Sequence, residues 1–167
     1  MYNLIVAICK NNGIGKSGKL PWKIKEDLSI FSTLTKGNGN NAIIMGRKTW
    51  ESINKKPLPN RTNIILSTTL TNDLGYNNVH FYDSLDSINS HCIKNKYDNI
   101  WIIGGSSVYQ YFLNNSLIKK CFVTYIDHDF DCDTFFPDIK TQCILENTMN
   151  IETETDYNVT LNIYTCK

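Results

Sequence analysis

The sequence has no excess of charge of either sign: 17 Lys and Arg stand against 16 Asp and Glu, leaving +1. A protein that wraps nucleic acid or rests on an anionic membrane needs a dominant positive field, so neither partner is expected. No apolar run approaches the ~20 residues that span a bilayer. The first ten residues lack the basic stretch and small-residue cleavage site of a secretory signal. A soluble protein is expected. No Cys-x-x-Cys pair occurs among Cys9, Cys92, Cys121, Cys132, Cys143 and Cys166, so metal-site spacing is missing and no metal is expected. Without a secretory signal these thiols are expected to be reduced, in a cytoplasmic protein. Arginine is nearly missing too: Arg47 and Arg61 stand beside fifteen lysines. What a planar, bidentate fork does at two places that an ammonium cannot is a question the composition itself raises.

What is present fits one domain over residues 1–167, with 41% hydrophobic and 20% charged residues, a globular balance. One compact domain of balanced charge is expected to be a monomer. Strand-like runs fall at 3–9, 41–45, 62–66, 79–82, 100–103 and 121–126, several apolar throughout, as in strands covered on both faces. Helical patterns lie between them at 24–35, 48–54, 84–95 and 106–114, and two alternating strands close the chain at 143–151 and 157–165. The expectation is an α/β domain with a central mixed sheet and helices on both faces.

Two glycine-rich signals are declined. Gly13-Ile-Gly-Lys-Ser-Gly18 matches G-x-G-x-x-G, but Lys19-Leu-Pro-Trp22 follows where a helix must open onto a pyrophosphate. Gly15-Lys16-Ser17 resembles the end of a P-loop, whose leading glycine would fall on Lys10. What survives is a glycine-rich loop of the kind that forms lids.

Periodicity separates Glu26 from Asp27. At 100° per residue Ile24, Leu28, Phe31 and Leu34 define a buried arc, with Asp27 about 45° from its centre and Glu26 about 145° away. Glu26 is expected to face water. Asp27 is carried toward Leu28, Phe31 and Trp22, where lost hydration raises a carboxyl pKa. It is either a proton-handling or cation-binding group or half of a structural pair.

Met45-Gly-Arg-Lys-Thr-Trp50 leads from a strand into a helix that opens on two cations, which oppose its macrodipole unless an anion binds there. A solvated basic turn is the bland account. Trp101-Ile-Ile-Gly-Gly-Ser-Ser-Val-Tyr109 repeats the geometry, its paired glycines giving either a tight packing turn or a close approach to phosphate. Together, two such openings in one sheet can hold a dinucleotide.

At these residues the chain resembles a dihydrofolate reductase. The matching segments are Leu20-Pro-Trp-Lys-Ile-Lys-Glu-Asp-Leu28, Met45-Gly-Arg-Lys-Thr-Trp-Glu-Ser-Ile53, Pro57-Leu-Pro-Asn-Arg-Thr-Asn-Ile-Ile-Leu-Ser67, Ile103-Gly-Gly-Ser-Ser-Val-Tyr109 and Asp133-Thr-Phe-Phe-Pro137, in the family's order and spacing. The resemblance implies an eight-stranded, mostly parallel mixed sheet with about four helices, and NADPH-dependent reduction of dihydrofolate. It implies that Asp27 binds the pterin and promotes N5 protonation, with Trp22, Tyr109 and Thr124 around the reacting rings. Ile5, Val6, Leu28, Phe31, Ile53, Leu58 and Ile103 would contact substrate, and Arg61 would take its glutamate carboxylate. Ala7, Ile14, Gly15, Leu20, Gly46, Lys48, Thr49, Leu66, Ser67, Thr68, Ile103, Gly104, Gly105, Ser106, Ser107, Val108 and Tyr109 would contact NADPH, with Arg47 on its 2′-phosphate. Residues 13–20 would be the lid, hydrogen-bonded by Asp133. Antifolates would compete for the substrate site.

One departure concerns the nucleotide. Where the family usually carries a second cation near the 2′-phosphate, this chain has Asp83 and Thr68, which implies weaker preference for NADPH over NADH. A related reductase of the riboflavin pathway would lack the Leu-Pro-Trp segment with its following acid. A non-catalytic folate- or nucleotide-binding module would keep the fold without turnover.

Overall fold

Apolar strands alternating with short amphipathic segments build one large sheet and one small one. The computed structural model describes residues 1–71 and 74–167. In chain order the elements are β1 (Tyr2–Cys9), β2 (Gly13–Gly15), α1 (Lys25–Lys36), β3 (Ala42–Gly46), α2 (Arg47–Ser52), β4 (Thr62–Leu66) and β5 (Val79–Tyr82). There follow α3 (Leu85–Asn95), β6 (Ile100–Gly104), α4 (Ser106–Asn114), β7 (Ile118–Ile126), β8 (Thr134–Phe135), β9 (Cys143–Ile151) and β10 (Val159–Cys166). Eight strands lie in the order β5-β4-β3-β6-β1-β7-β10-β9. The first six are parallel, and β10 pairs antiparallel with both β7 and β9. The mostly parallel eight-stranded sheet and four helices are those expected.

The central strands lack polar alternation because both faces are covered. Leu4, Ile44, Ile64 and Ile102 pack with Ile88 and Cys92 of α3 and with Val108 and Phe112 of α4. On the opposite face Ile5, Ile43, Met45, Ile65 and Trp101 pack with Trp50 of α2, while Phe31 and Leu34 of α1 lie against them partly buried. Fully burying one such side chain contributes about 1.5–3 kcal/mol, so these two layers dominate the fold's stability. The helices therefore sit in pairs, α1 and α2 on one face and α3 and α4 on the other.

Three expectations are corrected. The apolar arc of α1 is not simply core: Leu28 is 51% exposed, and Thr35 is the helix's one buried residue. Glu26 does not face open water. The turn between β9 and β10 lies over it, Glu154 N–H donates to its carboxylate at 3.3 Å, and Oε1 is buried without a partner among the described residues. The thiols are not all reduced. Cys143 and Cys166 are register partners on β9 and β10 and form a disulfide, while Cys9, Cys92, Cys121 and Cys132 are free. No helix among the described residues is long and apolar enough to cross a membrane.

Candidate active site

Strands β3 and β6 are parallel neighbours whose connections leave in opposite directions, one toward β4 and the other past β1 to β7. Such a switch point opens a crevice at the strands' C-terminal ends. Glycines close each strand there. A Cβ on Gly46 would lie 3.0 Å from Val108 Cγ2 and 4.0 Å from Gly105 N, so the openings of α2 and α4 adjoin. Gly104 has φ +125° and its peptide bond to Gly105 is cis. A Cβ on Gly104 would stand 3.3 Å from the Tyr109 hydroxyl, and one on either glycine 3.5 Å from Thr49 Oγ1. This cradle is open only because it is lined by backbone. No side chain caps α4, so the first-turn amides of Ser106, Ser107 and Val108 are free to meet an anion.

Beside this cradle lies a groove of about 540 Å³ lined by Arg47, Leu66, Ser67, Thr68, Thr69, Asp83, Ser84, Leu85 and Tyr111. Ser67 N–H donates to Tyr82 O at 2.9 Å, which sets the ends of β4 and β5 side by side and brings Asp83 in with Ser67. Arg47 Nε lies 3.0 Å from Glu51 Oε1, a half-exposed pair that leaves other guanidinium donors available. Lys48 is exposed at the same turn. Thr69, Ser84, Leu85 and Tyr111 were missed by sequence reasoning. Only Tyr111 carried a local signal, one helical turn beyond Ser107.

At the other end stands Asp27, half-buried on α1. Burial raises its carboxyl above the ordinary aspartate value, and a hydrogen bond with the Thr124 side chain partly offsets this. No ion pair among the described residues involves it. Tyr109 is fully enclosed and donates to Ile5 O at 2.8 Å. Its phenol is pushed far up by burial first, then by the nearby Cys121 and Asp27, which places Asp27 within electrostatic reach of this junction. Ile103, Phe31, Ile53 and Leu58 are partly buried against the cluster that contains Ile5. Val6 belongs to the core on the other face, Ile14 packs partly buried against that core, and Ala7 pairs with Thr124 across β1 and β7. Trp22 is 7% exposed, and its indole N–H has no acceptor among the described residues.

Arg61 is 5% exposed. Its Nε donates to Pro59 O at 2.9 Å and Nη1 to Thr35 Oγ1 at 2.8 Å. Burial pulls its pKa below the ordinary value, and no carboxylate pairs with it among the described residues. A guanidinium sunk this far without an anion is costly unless a ligand supplies one.

Residues 13–20 form a loop anchored from across the chain. Gly13 and Gly15 pair with Phe135 and Thr134. Ser17 N–H donates to Asp133 Oδ2 at 3.0 Å, Asp133 N–H to Gly15 O at 2.9 Å, and Lys16 lies 3.3 Å from Asp131. The Ser17 amide, then the Thr134 hydroxyl, hold the Asp133 carboxyl below its usual value. Leu20, at the loop's end, is 50% exposed.

A crevice at a sheet switch point, with an anion cradle and an Arg47-lined groove at one end and an acid without an ion pair among the described residues at the other, defines an α/β enzyme. The family model described as Dihydrofolate reductase matches residues 1–166. The chain is 43% identical to the dihydrofolate reductase of Drosophila melanogaster over 145 residues, covering 83% of this chain and 80% of that one. It is 41% identical to that of Gallus gallus over 147 residues (82% and 78%), and 43% identical to the viral dihydrofolate reductase of Saimiriine herpesvirus 2 over 150 residues (83% and 70%). The chain belongs to the dihydrofolate reductase family and is an oxidoreductase.

Proposed function

We propose that this chain reduces 7,8-dihydrofolate to 5,6,7,8-tetrahydrofolate with NADPH, supplying one-carbon metabolism and thymidylate synthesis. The observation that carries the reading is Asp27: a half-buried acid, raised by desolvation, held by Thr124 and without an ion pair among the described residues. In that role its carboxylate accepts hydrogen bonds from the pterin 2-amino group and N3 and promotes proton delivery to N5. The buried Trp22 N–H, still lacking an acceptor, orders the water that relays this proton. Tyr109, fixed by its bond to the Ile5 carbonyl, shapes the ring junction, with the carbonyls of Ile5 and Ile103 along the pterin edge. Leu28, Phe31, Ile53 and Leu58 line the benzoyl segment. Their partial exposure suits a face that a ligand completes. Arg61 pairs with the glutamate carboxylate.

The residues present also fit NADPH. A Cβ would fill the cradle at Gly104 and Gly105, where the α4 amides, Lys48 and Thr49 would hold the pyrophosphate. Arg47, Ser67 and Thr68 would hold the 2′-phosphate in the groove that Asp83 also lines. Gly15, Ile14 and Leu20 of the lid, with Ala7 and Val108, would contact the cofactor. When bound, the nicotinamide supplies a hydride to the carbon beside N5. The chain's own contribution is alignment and exclusion of water.

A net charge of +1 suits a monomeric, cytoplasmic, small-molecule enzyme, with antifolates as competitors at Asp27. Mixing the protein with dihydrofolate and NADPH tests the reading. Loss of NADPH absorbance is expected. Tight binding of both ligands without that loss would instead identify a non-catalytic module.

A further inference from the structure

Two free cysteines meet beneath the lid. Cys9 closes β1 and is buried, and Cys132 is half-exposed in the segment that leads into β8. Their sulfurs lie 3.8 Å apart. Around them are the lid's attachments. Cys9 Sγ donates to Asn11 Oδ1 at 2.9 Å, and that oxygen also accepts from Gly13 N at 3.1 Å. Gly13 packs so closely on Cys132 that an added Cβ would sit 2.3 Å from its sulfur. The residue after Cys132 is Asp133, which accepts from the Ser17 amide and donates to the Gly15 carbonyl. The residue before it, Asp131, faces Lys16.

We propose that Cys9 and Cys132 are an oxidation site, joined by peroxide into a disulfide that holds the lid latched. The Cys132 sulfur attacks a peroxide oxygen, the O–O bond breaks, and a sulfenic acid and one water form. Cys9 sulfur then attacks the Cys132 sulfur, the S–O bond breaks, and a second water leaves. Two thiols and one hydrogen peroxide thus give one disulfide and two waters. The sulfurs must close by about 1.8 Å, within reach of side-chain rotation and small loop shifts. Burial, then Cys9, holds the Cys132 thiol above its ordinary value, so the reaction is slow and answers sustained peroxide rather than a brief pulse.

The consequence follows from where the cross-link falls. It fixes the end of β1, from which the lid departs, to the residue adjoining the Asp133 latch. Shortening that tether raises the effective concentration of Asp133 at Ser17. The latched lid gains population, and steps that need it open, product release first, slow down.

The test uses the full chain before and after hydrogen peroxide. The expected product has lost two hydrogens, yields one peptide pair linked through Cys9 and Cys132, and is cut by trypsin at Lys16 and Lys19 several-fold more slowly. Dihydrofolate turnover falls several-fold and recovers with dithiothreitol. Cys132→Ser keeps basal turnover and loses the response, and Cys166→Ser, which removes the other bridge, keeps it. Oxidation of Cys132 to sulfinic acid without a cross-link overturns the proposal. So does a cross-link that leaves lid cleavage and turnover unchanged. The effect on turnover rests on the reductase reading, but mass and lid cleavage do not. A chain inactive before oxidation counts against that reading, and an active chain that forms no cross-link counts against this site.

Discussion

Replacing Arg61 by Met should separate recognition of the substrate tail from the chemistry. A guanidinium has five N–H donors, and the structure commits two of them, one to Pro59 O and one to Thr35 Oγ1. Three remain, enough for a two-pronged pair with a carboxylate. Each hydrogen bond to a charged group contributes roughly 1.5–3 kcal/mol, so losing two costs about 3–6 kcal/mol. At about 1.4 kcal/mol per tenfold, KM for dihydrofolate should rise by ~10²–10⁴. The pair is remote from the reacting carbon and equal in ground and transition states, so kcat should hold. A dihydropterin without the glutamate tail supplies the control, because wild type and Arg61→Met should turn it over alike. Steady-state kinetics on both substrates, with thermal melts to verify folding, make the measurement. A rise in KM below tenfold, or equal damage toward the tail-less substrate, would refute the assignment.

Gly104→Ala places a Cβ at φ +125° and 3.3 Å from the Tyr109 hydroxyl. Backbone strain of about 1–3 kcal/mol should lower Cm in urea, and binding of NADPH measured by calorimetry should weaken with it. Asp83→Ala removes a carboxylate from the groove that holds Arg47. It should raise the NADPH-to-NADH ratio of kcat/KM several-fold, and an unchanged ratio would mean Asp83 does not meet the 2′-phosphate. Reducing the Cys143–Cys166 bridge, which spans a sequence separation of 23, should cost about 3 kcal/mol by the chain-entropy account. Cys166→Ser should show the same loss of stability in urea without dithiothreitol.

Local punctuation made much of the fold legible. β4, β5, β9 and α4 begin and end where sequence reading puts them, and Pro, Gly, Ser or Asn flank all of these but β9. What was hidden depends on partners distant in sequence. Periodicity located the apolar residues of α1, but it does not say whether protein or ligand covers them, and Leu28 is half-exposed. Glu26 looked solvated because the turn over it arrives 128 residues later. β2 is only Gly-Ile-Gly, with no strand pattern of its own, and exists through pairing with Thr134 and Phe135. The cysteine bridge follows from β9–β10 register rather than spacing. At the site, Asp27 and Arg61 stood out by chemistry alone, an inward acid and a rare fork. Tyr111 and Ser84 enter the groove through tertiary packing.

The central claim is tested most directly by the pH dependence of kcat/KM for dihydrofolate in wild type and Asp27→Asn. Burial raises the Asp27 carboxyl, and the proton that Asp27 helps deliver to N5 through water must first enter the site, so wild-type activity should fall as pH rises through that raised value. Asp27→Asn should be strongly impaired at neutral pH, with the deficit narrowing toward acid, where solvent protonates the substrate directly. Identical profiles for the two proteins would contradict the proton role assigned to Asp27.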